Sequence, residues 1–228
     1  MANLMTTAPR VPVLCAGDRL TRTEFERRYS AMPDLKKAEL IEGVVYMGSP
    51  VRHVQHGRPE RLFSRWVGFY EDSTPGLDSS GNSTVRLDLD NEPQPDLLLR
   101  LPERAGGRSR VVSEGYLEGP PELVIEVAGS SVSYDLHQKL HAYRRNGVQE
   151  YLVHRVDDGE IDWFLLEHGT YVRQQPGPDG ILKSRVFPGL WLDVRALLRG
   201  DVAALRATVE RGIADPAHAA FVARLRAR

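Results

Sequence analysis

"LVIEVAGSSVSYDLHQKLHAYRRNGVQEYLVH", Leu123 to His154, is the stretch whose reading decides the fold. It divides into strand, helix, strand. "LVIEVA" is an apolar run of strand length. The segment from about Ser133 carries apolar residues at helical spacing and meets a natural terminator at Gly147. "EYLVHRV" is again strand-like. Two charges break the pattern. Side chains alternate along a strand, so Leu123, Ile125 and Val127 share one face, and Glu126 shares the other with Val124 and Ala128. On the helix, Leu136, Leu140 and Tyr143 form a stripe, and Lys139 lies about 60° from Leu136 by the helical repeat. A charge held out of water is costly unless it is paired or binds a cation, so both residues require a chemical explanation.

The rest of the chain bounds that explanation. Its 228 residues, 41% hydrophobic and 27% charged, are enough for one large domain or for a domain with an appendage. Lys and Arg number 30 against 31 Asp and Glu, which gives no support to a polyanion-coating protein while leaving room for a local basic patch. Cys15 is the only cysteine, which excludes an internal disulfide and argues against a thiolate zinc site. No stretch approaches the roughly 20 apolar residues that span a bilayer. The N-terminus has no unbroken apolar segment of signal-peptide length, so the expected location is the cytoplasm.

Outward from the deciding stretch, Met1 to Pro12 reads as a loose arm and "TRTEFERRYS" as a helix after a Thr cap. "AELIEGVVYMGSP" reads as two short strands about a Glu42-Gly43 turn. Val51 to Tyr70 is an amphipathic helix whose regular part starts near Pro59. "STVRLDLDN" alternates like a half-buried strand, with Val85, Leu87 and Leu89 on one face. "QPDLLLRL" is the next strand, followed by a long Gly-, Pro- and Arg-rich loop before Leu123. After His154 come strands with turns at Asp158-Gly159 and His168-Gly169. The end is helical, with Asp215-Pro216 starting a final helix. Mixed strands and helices point to an α/β or α+β sheet domain with a helical tail.

A second acid enters here. Asp96 opens "DLLLRL" and points to the face opposite Leu97 and Leu99. If that strand neighbours "LVIEVA", Asp96 and Glu126 converge on one cation. Two carboxylates, with water and substrate oxygens, suit Mg²⁺ or Mn²⁺.

"LIEGVVYMGSPVRH", "QPDLLL", "ELVIEV" and "YDLHQKLHAYRRNGVQEYLV", in that order and across about Ala38 to Leu192, resemble the Uma-two family of nucleases. The resemblance implies a restriction-endonuclease-like core over residues 1–193, a mixed central sheet flanked by helices, and a C-terminal helical extension over 194–228. It implies a PD…(D/E)xK type of site: Asp96 and Glu126 as metal-binding acids, the Val127 carbonyl as a further ligand, and Glu42 as the acid of the early element. The lysine of that pattern is replaced by Ala128, and Lys139 on the following helix stands in its place. The implied activity is metal-dependent hydrolysis of nucleic acid, most naturally DNA, by a homodimer. His53 matches a position at the helix start where substrate phosphate or metal is met.

The residues alone leave plainer readings open. Glu126 and Lys139 can be a structural ion pair, or Lys139 can pair with Asp135 one turn away. Asp96 suits a strand entry, Glu42 a solvated turn, and His53 a local hydrogen bond. Arg100, with Arg104, Arg108 and Arg110, can contact a phosphate backbone or line a solvated loop. His137 and His141 point away from Lys139 and lack the adjacent Glu of a helical zinc pair. The alternative function is a nuclease-fold module that binds nucleic acid or a protein without cleaving.

Overall fold

Six strands form the central sheet of this computed structural model, in the order Thr170–Arg173, Glu160–Glu167, Glu150–Arg155, Leu123–Ala128, Leu97–Arg100 and Asp78–Ser80. Residues 10–48, 50–129 and 131–227 are described; most of the expected N-terminal arm lies outside them. Only Leu123–Ala128 and Glu150–Arg155 run parallel; the other neighbouring pairs are antiparallel. Parallel neighbours need a crossover connection, and the helix over residues 132–146 supplies it. Gly147, at φ 79°, ends that helix in the left-handed region that glycine enters without a Cβ clash.

The alternation read in "LVIEVA" separates two cores. Leu123, Ile125 and Val127 pack with Phe63, Trp66 and Tyr70 of the Arg58–Glu71 helix. Each such side chain contributes about 1.5–3 kcal/mol by leaving water. Val124 and Ala128 face Tyr143, Tyr151 and Val153 on the other side. The helices Val202–Ile213 and Pro216–Arg226 add Leu205, Val209, Phe221 and Leu225 to the first core, so the C-terminal tail packs on the sheet. Asp215 caps the last helix by accepting from Ala217 N, as its Asp-Pro start suggests. The fold is mixed α/β with helices on both faces of a mixed sheet.

A hairpin, Ala38–Ile41 with Val44–Met47, turns at Glu42 and Gly43, both at positive φ (52° and 71°), the geometry that two-residue hairpins favour. Two sequence expectations fail nearby. Only Val85–Arg86 of "STVRLDLDN" is strand, and Leu89 is 68% exposed. Asp88 reverses the chain there, its Oδ1 accepting from Asp90 N and Asn91 Nδ2, and local side-chain bonding of this kind competes with a ladder. The long loop before Leu123 is also structured: Arg110–Val111 pairs with Leu117–Glu118, which pairs in turn with Val85–Arg86. Among the described residues no helix is long and apolar enough to cross a membrane.

Candidate active site

Leu97 lies opposite Ile125 across the antiparallel strands, so extending the register by one residue sets Asp96 beside Glu126. Both acids are almost fully buried. Asp96 is fixed by its own sheet, Oδ2 accepting from Val127 N at 2.7 Å. Glu126 Oε1 accepts from Lys139 Nζ at 2.9 Å and from Tyr143 OH at 2.9 Å. The neighbouring strands and the crossover helix thus bring Asp96, Glu126 and Lys139 together.

The helix delivers Lys139 in an unexpected way. Its middle, Asp135–Lys139, is a π turn, whose hydrogen bonds span one residue more than those of an α-helix. Asp135, Lys139 and Tyr143 are therefore the buried row; of the expected stripe Tyr143 is buried, while Leu136 and Leu140 are only partly buried. A second π turn, His53–Gly57, opens the helix on the other side of the site. Such turns recur at functional sites because they re-aim side chains.

Sequence reasoning missed two members of the cluster. Glu39 accepts from Lys139 Nζ at 2.9 Å, equal to the Glu126 distance, while Asp135 is farther from the ammonium at 3.9 Å. Gln94 N donates to the same Glu39 oxygen at 2.7 Å. The signal was present in "AELI", an acid inside an apolar strand, the anomaly that singled out Glu126. The other is His56, three residues after the expected histidine. Its Nε2 lies 3.2 Å from Asp96 Oδ1 and its Nδ1 3.1 Å from the Val127 carbonyl. Tyr134 covers the ammonium from above, 5.3 Å from Nζ to ring centroid, and packs on Tyr46.

Three expected residues are not brought in. Glu42, at the hairpin turn, pairs with exposed Arg145 at 2.9 Å; the turn carries it away from the face on which Glu39 sits. His53 is exposed at the start of the π turn, and His56 is the histidine that reaches Asp96. Arg100 is buried, donating to Ser109 Oγ at 2.9 Å, Ser109 O at 2.6 Å and Asp78 Oδ2 at 2.7 Å, which leaves its guanidinium occupied by protein. Arg108 donates to Gly147 O and Arg110 to Glu118, so these loop arginines are structural ties. His137 and His141 are exposed, away from the cluster.

The electrostatics follow from crowding. Burial pushes the Glu126 carboxyl up to about 8; Lys139 opposes this, and Asp96, Asp135 and Glu39 reinforce it. Burial likewise lifts Asp135 to about 6. Desolvation works against the Lys139 ammonium, but Glu126, Glu39 and Asp135 outweigh it and hold the amine charged. Burial also opposes the Asp96 charge, yet the His56 hydrogen bond keeps its carboxyl below the ordinary value; Asp96 in turn raises His56.

Three buried acids, Glu39, Glu126 and Asp135, thus lie within 3.9 Å of one ammonium, and a fourth, Asp96, stands beside Glu126 with an imidazole at the edge. The donors are hard oxygens and their negative charge exceeds the protein's own positive charge, the chemistry that suits Mg²⁺ or Mn²⁺. Among the described residues no three acidic, His or Cys side chains stand ready to hold one ion. His56 bridges Asp96 Oδ1 and the Val127 carbonyl, two oxygens that the resemblance assigns to a cation, and Lys139 bridges Glu39 and Glu126. The residues fit a divalent ion by charge and donor type once the imidazole gives way.

Comparison with known proteins bears on the fold and the family. A crystal structure described as a "putative nuclease belonging to DUF820", from Anabaena variabilis, superposes with a TM-score of 0.59 at 14% identity, covering 76% of this chain and 96% of that one, a likeness of fold. No curated protein matches. The family model described as "Putative restriction endonuclease" matches residues 22–195, which span the hairpin, every strand of the central sheet and all the clustered acids. By that match the chain belongs to the Uma2 family.

Proposed function

We propose that this protein is a divalent-metal-dependent endonuclease that hydrolyses phosphodiester bonds of DNA. The observation that carries the reading is the surplus of buried acid around Lys139: Glu126 on the strand Leu123–Ala128, Asp96 at the entry to Leu97–Arg100, Glu39 on Ala38–Ile41 and Asp135 on the crossover helix. Asp96, Glu126 and the Val127 carbonyl are the groups that would hold Mg²⁺ or Mn²⁺. Such an ion, when bound, supplies Lewis acidity toward a phosphoryl oxygen and acidifies water.

The remaining work belongs to the chain's own residues. Val127 N fixes the Asp96 carboxylate through Oδ2 and leaves Oδ1 facing His56. Tyr143 OH and Lys139 both donate to Glu126 Oε1, which restricts that side chain to one orientation. Lys139 carries a charge that the acids keep in place, so it can orient a nucleophilic water or offset negative charge growing on phosphate. Ala128, where the common pattern has lysine, packs against the second core and leaves this task to the helix.

The experiment is a cleavage assay on plasmid and linear DNA with Mg²⁺ or Mn²⁺, comparing the native chain with Glu126→Gln, alongside calorimetric Mn²⁺ titration. Cleavage and Mn²⁺ uptake that both disappear in a variant with an unchanged melting profile support the reading. Binding of DNA without cleavage under every metal condition supports the non-catalytic module instead.

A further inference from the structure

The arginines expected to meet phosphate, in the loop after Arg100, are largely tied to protein; a different set is free. Arg58, Arg61 and Arg65 are exposed at i, i+3 and i+7 of the Arg58–Glu71 helix, within about 60° of one another by the helical repeat. Phe63, Trp66, Val67 and Tyr70 bury the opposite side, so the stripe faces outward. Arg195 and Arg199 are exposed one turn apart on the helix Val194–Arg199. The two helices meet: Arg58 Nη2 lies 3.6 Å from the place a Cβ on Gly200 would take, just past the second helix.

None of these five arginines forms an ion pair among the described residues, unlike Arg155 or Arg173 elsewhere on the surface. The nearby acids have other partners. Glu60 accepts from Asn82 at 3.0 Å and lies near His56, Glu71 accepts from Ser79, and Asp193 caps its helix through Ala196 N. Attraction to a helix C-terminus accounts for Arg199 but not for the others. In a chain of net charge −1, a face with five unpaired guanidiniums is a marked asymmetry. The stripe also begins beside the acid cluster: His56, two residues before Arg58, is 3.2 Å from Asp96. From there it extends about 10 Å along the helix.

We infer that this arginine face is the track for the phosphate backbone of nucleic acid, holding the polymer alongside the His56–Asp96 edge of the buried acid cluster. The inference rests on the nuclease reading and adds the surface that holds its substrate. Guanidinium is suited to phosphate by its planar fork of donors, and contacts of this kind set position and carry no base sequence. The track therefore fits a backbone, read without sequence preference from this face.

The test measures binding separately from cleavage. Fluorescence anisotropy with labelled duplex DNA, single-stranded DNA and RNA is run in EDTA across 50–300 mM salt. The native chain is compared with Arg58→Gln/Arg61→Gln/Arg65→Gln, with the corresponding triple Lys variant, and with Arg224→Gln/Arg226→Gln as a control of distant charge. The expected result is at least about tenfold weaker binding by the triple Gln variant at 0.1 M salt, with the slope of log K against log salt reduced by about 3. The Lys variant should recover most of the slope, the control should bind like the native chain, and melting profiles should coincide. An unchanged slope in the triple Gln variant, an equal loss in the control, or no binding by the native chain at 50 mM salt would overturn the inference. Absence of cleavage in Mg²⁺ and Mn²⁺ with the arginine dependence intact would remove the nuclease reading and leave the track standing.

Discussion

Replacing Lys139 with Met keeps most of the stem's volume and removes the charge at the centre of the acid cluster. The ammonium lies 2.9 Å from both Glu39 and Glu126 and is almost fully buried. Breaking a buried ion pair from one side costs about 3–5 kcal/mol, because the remaining charge has no solvent to replace its partner. At about 2–4 °C per kcal/mol for a chain of this size, the melting temperature should fall by about 10 °C at pH 8. The loss should depend on pH, with a defined sign. Glu126 has a folded value of about 8 against an ordinary 4.5, so folding takes up a proton there, and its contribution to stability falls as pH rises through that window. Without Lys139 the folded value rises further and the window widens upward. The Lys139→Met substitution should therefore cost least near pH 5, where Glu126 and Asp135 can enter the fold protonated, and most at pH 8 and above. Thermal melts followed by circular dichroism at pH 5 and pH 8, with urea titrations at both, check this. A deficit equal at the two pH values, or below about 1 kcal/mol at pH 8, would refute the claim that Lys139 balances buried charge.

Other substitutions separate the site from its surroundings. Arg100→Met should lower stability by about 2–4 kcal/mol in urea titration, through loss of its bonds to Ser109 and Asp78, and leave the salt slope of DNA binding unchanged. Glu42→Gln should change stability by less than about 1 kcal/mol and leave cleavage at the native rate, since it loses only a partly exposed pair with Arg145. His56→Ala frees Asp96 Oδ1 and the Val127 carbonyl, so calorimetry should show tighter Mn²⁺ binding; weaker binding would make His56 a ligand of the ion.

The sheet was readable because each element announced itself locally. "LVIEVA", the helix ending at Gly147 and the turns at Glu42-Gly43 and His168-Gly169 depend on alternation, period and backbone sign, which neighbouring residues determine. "STVRLDLDN" was misread because its alternation is sound while the Asp88–Asn91 bonding that interrupts it is a side-chain effect, invisible to periodicity. The candidate site was half readable as a cluster. Asp96, Glu126 and Lys139 stood out as charges in apolar settings or as parts of a family's order of motifs. His56 did not, because a π turn changes which of two histidines faces inward, and wheel arithmetic assumes the turn is α. Glu39 lost to Glu42 because both lie in one short hairpin, and the choice depends on which side of the strand meets the helix over residues 132–146.

Burial of an acid is not by itself a mark of chemistry in this fold, and Glu150 shows why. Its carboxylate is as buried as Glu126, yet it accepts from Trp163 Nε1, Ser184 Oγ, Arg185 N and Val186 N, four neutral donors that fasten the segment after Lys183 to the sheet. Glu122 does the same for Leu101 N and Arg108 N. Those sites spread one charge over dipoles and need no ion. Around Lys139 the arithmetic differs: four acids share one ammonium and an imidazole, and at Glu126 burial, reinforced by the neighbouring acids, raises the proton affinity. A fold that needed only an anchor would stop at the Glu150 arrangement. Carboxylates gathered beyond what the protein's own cations neutralise cost stability at every pH where they ionise, a cost that the divalent ion proposed above would offset on binding.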